Sequence, residues 1–242
     1  MSRSTASDFA EFTKYLERYS LEGAASSENV ELKKAHKCYF SMLNVWAQFN
    51  HSLTKGALVI DGETLESESE LISYFRESVS DIGNGLFCCI HGAYKPAHMS
   101  LRSSIENFIR FSAGFFDSEA LTTTSVFRLF AVAKTTKPFF GAREKFLFGL
   151  KSDYAELCKF THSASLDHMS GVHALSHFPV ISKEDFESWN YYCLSICKAI
   201  AGVIFLSSPP LYLKAHFKSK EIFDQILIDE VRAGILDPRK AF

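Results

Sequence analysis

The stretch HMSLRSSIENFIRFSAGFF, residues 98–116, repeats large apolar side chains at spacings of three and four residues. In an α-helix this spacing places the side chains on one face, which can then be buried. Pro96 precedes the stretch, and because a proline inside a helix loses a hydrogen bond, we expect the helix to begin after it, near His98. The predicted buried face consists of Leu101, Ile105, Phe108, Ile109 and Phe116.

Helical periodicity extends from this stretch toward both ends of the chain. It predicts N-terminal helices within residues 5–55, the second capped by Ser26 or Ser27, and a C-terminal helix over 219–236 capped by Ser219. A strand-like run is confined to residues 57–60. The chain is therefore predicted to be all-α, a single multi-helix bundle-like domain over residues 1–242 with little or no sheet.

Local signals divide the second half of the chain into further helices. Residues 141–161 are predicted to be helical, with a break near Gly149. Ser182, with Asp185 three residues later, is expected to begin an apolar helix that runs through Leu206. Residues 162–179 carry Gly171 and Pro179 and are expected to be irregular.

Composition describes an ordinary packed protein without a global affinity for polyanions. Hydrophobic residues make up 47% of the 242 residues and charged residues 22%, with 23 Phe against 2 Trp. The formal net charge is −2, so any basic surface for nucleic acid or an anionic membrane has to be assembled by folding. The aromatic excess predicts apolar surface beyond one core, and hence a homo-oligomer or a complex with a partner protein.

The thiols and the apolar stretches indicate a cytoplasmic protein outside the membrane. None of the six cysteines forms a CxxC pair, and Cys193 and Cys197 are expected to be buried, reduced core residues. The N-terminus carries no apolar signal region. The most apolar stretch, residues 191–206, contains Lys198 and falls short of the ~20 residues that a membrane span needs, so a buried helix is predicted.

Two groups of residues are candidates for chemistry. Arg102 and Glu106 lie four residues apart on one predicted helix face, where they either form an ordinary ion pair or present an arginine to a phosphate or carboxylate. His162 ends a later helix that also carries Tyr154, and it either moves a proton or complements the helix dipole. Asn107, next to Glu106, joins Tyr154 as a predicted binding residue.

A histidine-rich segment is the remaining candidate, as a metal site. His173 and His177 are four residues apart, a spacing that suits zinc, and His162, His168 and Asp167 precede them. The segment is expected to be a loop without a thiolate, so no metal site and no cofactor are predicted. The chain also lacks a Gly-rich phosphate loop, GxSxG and HExxH, which removes the main sequence support for nucleotide-dependent enzymes and hydrolases.

The order of these residues resembles a class of helical proteins. Arg102 and Glu106 on one helix, followed by Tyr154 and His162 on a later one, resemble the HEPN-like proteins found near bacterial defence and abortive-infection genes. The resemblance spans residues 99–165 and implies a HEPN-like core over about 67–206. The catalytic members carry a His four to six residues after an Arg, and no Arg of this chain has one.

The resemblance implies a helical component of a bacterial conflict or phage-defence system that binds a partner protein, RNA or DNA. The alternative is a nuclease-like enzyme that cleaves a phosphodiester with Arg102, Glu106 and His162 as catalytic residues. In that enzyme the arginine would hold the phosphate while the histidine moves a proton.

Overall fold

The computed structural model describes residues 2–17, 29–56, 58–67, 69–162, 169 and 182–237. Within these ranges the chain is an all-α domain with a single two-stranded hairpin, which confirms the predicted fold class. The helices are α1 Arg3–Glu17, α2 Val30–Thr54, α3 Leu71–Ile90, α4 Tyr94–Gly114, α5 Glu119–Thr122, α6 Val126–Ala133, α7 Glu144–His162, α8 Lys183–Ser207, α9 Pro209–Leu213, α10 Phe217–Phe223 and α11 Asp229–Leu236. The strands are β1 Val59–Ile60 and β2 Glu63–Thr64, and two 3-10 turns, Lys137–Phe139 and Gly141–Arg143, precede α7.

Helices α3 and α4 form an antiparallel hairpin at the centre of the domain. Three residues connect them, and Gly92 adopts a φ of 73°, a backbone conformation that glycine reaches without strain. Ser78 on α3 donates a hydrogen bond to the backbone carbonyl of Ser104 on α4 at 2.9 Å. The apolar face predicted for residues 98–116 is buried here, except that Phe116 lies beyond the end of α4 and is only partly buried.

Helix α4 also packs against α7 and α8, and α8 packs against α2. Contacts between His98 and Phe160 and between Arg102 and Cys158 show that α4 and α7 run antiparallel. The side of α8 toward α2 carries Cys193 and Cys197, which are fully buried, as expected. The core holds an aromatic cluster of side chains from α2, α3 and α4: Trp46, Phe49, Phe75, Phe108 and Phe111.

The apolar helix near the C-terminus belongs to this core. Ser182 caps α8, and its hydroxyl accepts a hydrogen bond from the backbone N–H of Asp185, as the sequence predicts. Helix α8 has the length and composition of a membrane span, with a mean hydropathy of 1.4 in its most apolar window. That window is 67% buried inside the protein, which is the arrangement of a core helix.

Two predicted interruptions are wrong. Pro96 does not precede α4 but lies in its first turn, where the backbone N–H groups have no helical partner and a proline removes no hydrogen bond. Helix α7 continues through Gly149 without a break. The residues around Gly149 bury Leu147 and Leu150 on one side, and this packing outweighs the weak helix propensity of one glycine.

The predicted ends of two terminal helices are also corrected. Asn29, not a serine at 26 or 27, caps α2, with its side chain accepting from the N–H of Leu32. The predicted helix 219–236 is two helices, α10 and α11, and α10 begins at Phe217 after a cap by His216. No glycine or proline marks the interruption at residues 224–228, so the periodicity does not reveal it. The hydroxyl of Tyr212 on α9 donates to Asp224, which fixes the end of α10 against α9.

Candidate functional site

Arg102 lies on α4 and reaches across to α7. Its guanidinium carbon is 5.5 Å from the ring centroid of Tyr154, the distance of a cation–π contact. Its Nη1 lies 3.9 Å from the Sγ of Cys158, a weak hydrogen-bond acceptor. The antiparallel packing of α4 and α7 therefore brings two of the predicted site residues, Arg102 and Tyr154, into contact.

Glu106 is occupied by a different arginine. Its Oε1 accepts a hydrogen bond from Nη2 of Arg110 at 2.9 Å, so the intrahelical ion pair is Glu106–Arg110 and not Arg102–Glu106. A glutamate placed one turn before the basic residue is the favourable orientation on a helix, which the Arg102–Glu106 order reverses. Arg110 also donates to the carbonyls of Ala120 and Thr123. Glu106 therefore orients an arginine that holds the α5 segment onto α4.

Arg102 consequently has no carboxylate partner among the described residues. Within the described ranges, no Asp or Glu forms an ion pair with its guanidinium. The side chain is half-buried at the α4–α7 seam, where a charge is screened less than on an open surface. Burial raises the pKa of Tyr154, and the charge of Arg102 opposes that increase. The phenol is therefore protonated at neutral pH and available as a hydrogen-bond donor.

His162 is the last residue of α7 and is exposed. It lies four residues after Cys158 and eight after Tyr154, so the three side chains share one face of the helix. Each interval of four residues advances the position along the helix axis by about 6 Å. His162 therefore lies one turn beyond the Cys158–Arg102 contact, on the same side of the molecule.

The side chain of Asn107 points toward α3 and not toward α7. Its amide nitrogen donates to the Oδ2 of Asp81 on α3 at 2.9 Å and to the Oγ of Ser103 at 3.3 Å. Asp81 is buried, and burial raises its pKa while the hydrogen bonds from Ser103 and Asn107 oppose the increase. The amide nitrogen of Asn107 thus belongs to the α3–α4 packing rather than to the seam with α7.

The metal candidate falls outside the region available for description. Asp167, His168, His173 and His177 all lie in ranges that the structure does not describe. Among the residues that it does describe, no group of three or more His, Cys, Asp or Glu side chains is arranged to hold a metal ion.

Two of the concavities formed by the described residues lie away from the seam and are lined by charged or aromatic side chains. A cleft of about 1200 Å³ separates α1 from α10 and is lined by acidic and basic side chains in mixture, among them Arg3, Asp8 and Glu221. A groove of about 540 Å³ lies between α2 and α3, with Trp46 and Phe87 in its wall. Neither is lined by Arg102, Glu106, Asn107, Tyr154 or His162.

Two neighbours of the seam, Cys158 and Phe130, were not among the residues predicted from the sequence. Cys158 follows Tyr154 by one turn, so its position on the same face was readable from the spacing. Phe130 on α6 makes an edge-to-face contact with Tyr154, with 5.8 Å between ring centroids, and only the tertiary structure reveals it. The site is thus an open seam of α4, α6 and α7 with one uncompensated guanidinium. Comparison of the chain with protein-family models, with curated proteins and with solved structures finds no match in any of the three.

Proposed function

We propose that this chain binds RNA at the α4–α7 seam, as a helical binding component of a bacterial conflict or phage-defence system. One observation carries the binding proposal: Arg102 is half-buried, has no carboxylate partner among the described residues, and lies over the ring of Tyr154. The link to conflict systems rests on the resemblance of the Arg102–Glu106 and Tyr154–His162 spacing to HEPN-like proteins.

The chemistry of the seam suits a phosphate group. A guanidinium presents N–H donors in a planar fork that matches the oxygens of a phosphate, and a ring beneath it holds the plane in place. The present acceptor of Arg102 Nη1 is a thiol, at 3.9 Å. A phosphate oxygen is a stronger, charged acceptor, so exchanging the thiol for phosphate improves the hydrogen bond. The net charge of −2 gives no global attraction, so binding depends on this local arrangement.

Replacement of Arg102 tests the proposal directly. The fluorescence anisotropy of a labelled RNA is titrated with wild type, Arg102→Ala and Arg102→Lys. We expect Arg102→Ala to weaken binding by roughly 10- to 150-fold, since a charge-assisted hydrogen bond contributes about 1.5–3 kcal/mol. Arg102→Lys is expected to recover little, because an ammonium keeps the charge but lacks the planar fork.

Arg76→Ala is the matched control. Arg76 is an exposed arginine on α3 that lines the groove between α2 and α3, away from the seam. Its removal lowers the net charge by the same amount, so a loss specific to Arg102→Ala excludes a general charge effect. Equal RNA affinities of wild type and Arg102→Ala would refute the seam as the binding site.

A second function, cleavage of the RNA phosphodiester, is favoured by the position of His162. This side chain is exposed and lies on the same face of α7 as Tyr154 and Cys158. The imidazole of His162 can accept the proton of a ribose 2′-hydroxyl while Arg102 holds the adjacent phosphate. The 2′-oxygen then bonds to phosphorus and the bond from phosphorus to the 5′-oxygen of the next nucleotide breaks. The products are a 2′,3′-cyclic phosphate and a 5′-hydroxyl, which takes up a proton. Glu106 is not included in this reaction, because its carboxylate binds Arg110.

Binding and cleavage are separated by one variant. We expect His162→Ala to retain RNA affinity and to lose cleavage, measured on end-labelled RNA in the presence of a metal chelator. Intact RNA after prolonged incubation with the wild-type protein would exclude the nuclease and leave the binding function.

A further inference from the structure

From Phe148 to His162, one face of α7 carries aromatic and cationic side chains but no carboxylate. At 100° per residue, Phe148, Lys151, Tyr154, Cys158 and His162 fall within an arc of about 120° around the helix. The acidic residues of α7 within this length point elsewhere. Asp153 is buried and accepts a hydrogen bond from Ser195 on α8, and Glu156 pairs with Lys159.

Helix α6 adds rings and charges to the same face. The ammonium of Lys151 lies 5.7 Å from the ring centroid of Phe127 on α6. That of Lys134, the residue that follows the end of α6, lies 5.4 Å from the ring centroid of Phe148. With the Arg102–Tyr154 contact, three ring–cation pairs follow one another along α7, each joining α7 to a neighbouring segment. We define the α7 stripe as these six residues: Phe127, Lys134, Phe148, Lys151, Tyr154 and Arg102.

Two of the three rings of the stripe are exposed. Phe127 is 83% exposed and Phe148 is 53% exposed, so neither contributes much to the core. Lys134 pairs with Glu144 at 3.3 Å, whereas Lys151 makes no ion pair with any described carboxylate. The stripe therefore offers two uncompensated cations, Lys151 and Arg102, beside accessible aromatic faces.

We propose that the α7 stripe binds single-stranded RNA, with bases stacked on Phe127 and Phe148 and phosphates bound by Lys151 and Arg102. This inference rests on the proposed function and specifies the form of RNA that the site takes. Unpaired bases can stack on aromatic rings, whereas a duplex buries the base faces within its own stack. Cations that alternate with rings match the alternation of phosphate and base along a strand.

The face of α7 that carries the stripe continues beyond Tyr154 to Cys158 and His162. From Phe148 to His162 the helix rises about 21 Å, the length of several nucleotides at roughly 3.4 Å or more each. An anionic membrane surface also attracts lysine and phenylalanine, but it favours one continuous apolar face. Here each exposed ring has a cation beside it, which favours the polynucleotide.

The experiment compares one labelled RNA as a single strand and as a duplex with its complement. We expect the wild-type protein to bind the single strand more tightly. Phe127→Ala should weaken single-strand binding by roughly 5- to 150-fold, the range for loss of one stacked base. Phe127→Leu should be equally weak, because it keeps apolar area but has no ring face. Since Phe127 is exposed, both variants should melt as the wild type does.

Tyr191→Ala is the matched control, because Tyr191 is a 68% exposed aromatic residue on α8, outside the stripe. Its affinity should equal that of the wild type. Equal wild-type affinities for single strand and duplex, with binding still lost in Arg102→Ala, would overturn the stripe and leave the proposed function standing. Full binding by Phe127→Leu would also overturn stacking.

Other results separate the two proposals further. Weak binding by Phe127→Ala combined with full binding by Arg102→Ala would overturn phosphate binding by Arg102 in both proposals and leave only base stacking on Phe127. Failure of the wild-type protein to bind either RNA would overturn both proposals. Vesicles of phosphatidylserine and phosphatidylcholine form a parallel assay, and vesicle binding that is lost in Phe127→Ala without any RNA binding would assign the face to a membrane instead.

Discussion

The guanidinium of Arg102 lies over the ring of Tyr154, with 5.5 Å between the guanidinium carbon and the ring centroid. The contact joins α4 to α7 and holds an otherwise uncompensated charge in a fixed plane. If this ring orients the guanidinium for a phosphate, then the ring matters for RNA binding and the phenolic hydroxyl does not.

We therefore predict that Tyr154→Phe binds RNA as the wild type does and that Tyr154→Leu binds more weakly. A cation–π contact contributes about 0.5–2 kcal/mol, so the expected loss is roughly 2- to 30-fold. The measurement is the anisotropy titration of labelled RNA, with thermal melting of both variants as the control for folding. A loss in Tyr154→Phe as large as in Tyr154→Leu would assign the effect to the hydroxyl.

Glu106 and His162 should respond differently to replacement, although the sequence groups them in one site. Arg110 is 12% exposed at its side chain and depends on Glu106 for its carboxylate partner. Glu106→Ala leaves this arginine without that partner and should lower the free energy of unfolding by about 1–3 kcal/mol. His162 is exposed at the end of α7, so His162→Ala should change the free energy of unfolding by less than about 0.5 kcal/mol.

Urea denaturation of both variants checks this difference. Arg110→Ala and the double variant Glu106→Ala/Arg110→Ala are measured as well, because removing both partners of a pair is less destabilising than removing one. A double variant that is no less stable than Glu106→Ala alone would support the coupling. Equal stability of Glu106→Ala and wild type would show that the Glu106–Arg110 pair does not contribute to the free energy of unfolding.

Much of the fold was predictable because it depends on local signals. Apolar spacing and side-chain caps are read within a few residues, and they correctly identified the buried residues of α4 and the beginning of α8 at Ser182. One error was local: Pro96 lies in the first turn of α4, where a proline removes no helical hydrogen bond. Another arose where packing outweighs local preference, since Gly149 continues a helix whose neighbouring leucines are buried.

The uninterrupted course of α7 gives a pair of contrasting glycine variants. A Cβ on Gly149 meets no heavy atom within 4 Å, and the residue lies in a helix interior. Gly149→Ala should therefore raise the free energy of unfolding by about 0.5–1 kcal/mol, through lower chain entropy in the unfolded state. A Cβ on Gly202 of α8 would lie 2.8 Å from the ring of Phe146 in the core.

Gly202→Ala should accordingly lower the free energy of unfolding by about 1–3 kcal/mol, the range for overpacking a core. Thermal melting of the two variants beside the wild type measures both effects. A Gly149→Ala variant that is less stable than the wild type would indicate that α7 is interrupted at this residue, as the sequence predicted.

The candidate site was less predictable than the fold. Spacing along one helix placed Arg102 and Glu106 together, but the choice of ionic partner depended on Arg110, which also binds carbonyls of the α5 segment. Likewise, the exposure of Phe127 follows from which side of α6 is buried, and that is decided by contact with α4 and α7. Such partners are separated along the chain, so periodicity carries no information about them.

Burial of Asp153 predicts a dependence of stability on pH. Burial raises the pKa of this carboxyl, and the hydrogen bond from Ser195 opposes the increase. In the window between the unfolded and the folded pKa the folded protein binds more protons, so its stability falls as pH rises through that window. Above the folded pKa the whole penalty of the buried charge is present.

Asp153→Asn removes this charge and keeps an acceptor for Ser195. We expect the variant to be more stable than the wild type at neutral pH, and the difference to shrink as pH falls toward the ordinary pKa of aspartate, 3.8. Urea denaturation at neutral and at acidic pH measures both. Glu156→Gln, at a half-exposed carboxylate on the same helix, is the control. If Asp153→Asn is less stable than the wild type by the same amount at both pH values, the predicted pH dependence is contradicted.

The salt dependence of RNA binding distinguishes the cations of the α7 stripe from its rings. Each phosphate that a protein neutralises on a single strand contributes about −0.7 to the slope of log K against log salt concentration. Lys151→Gln should therefore make the slope shallower by about 0.7, because it removes one phosphate contact. Phe127→Ala should weaken binding at every salt concentration and leave the slope unchanged, since stacking releases no counterion.

Lys145→Gln is the control, because the ammonium of Lys145 lies on the same helix but binds Glu230 at 2.6 Å. An equal change of slope in Lys145→Gln and Lys151→Gln would mean that RNA responds to the general field of the protein and not to the stripe.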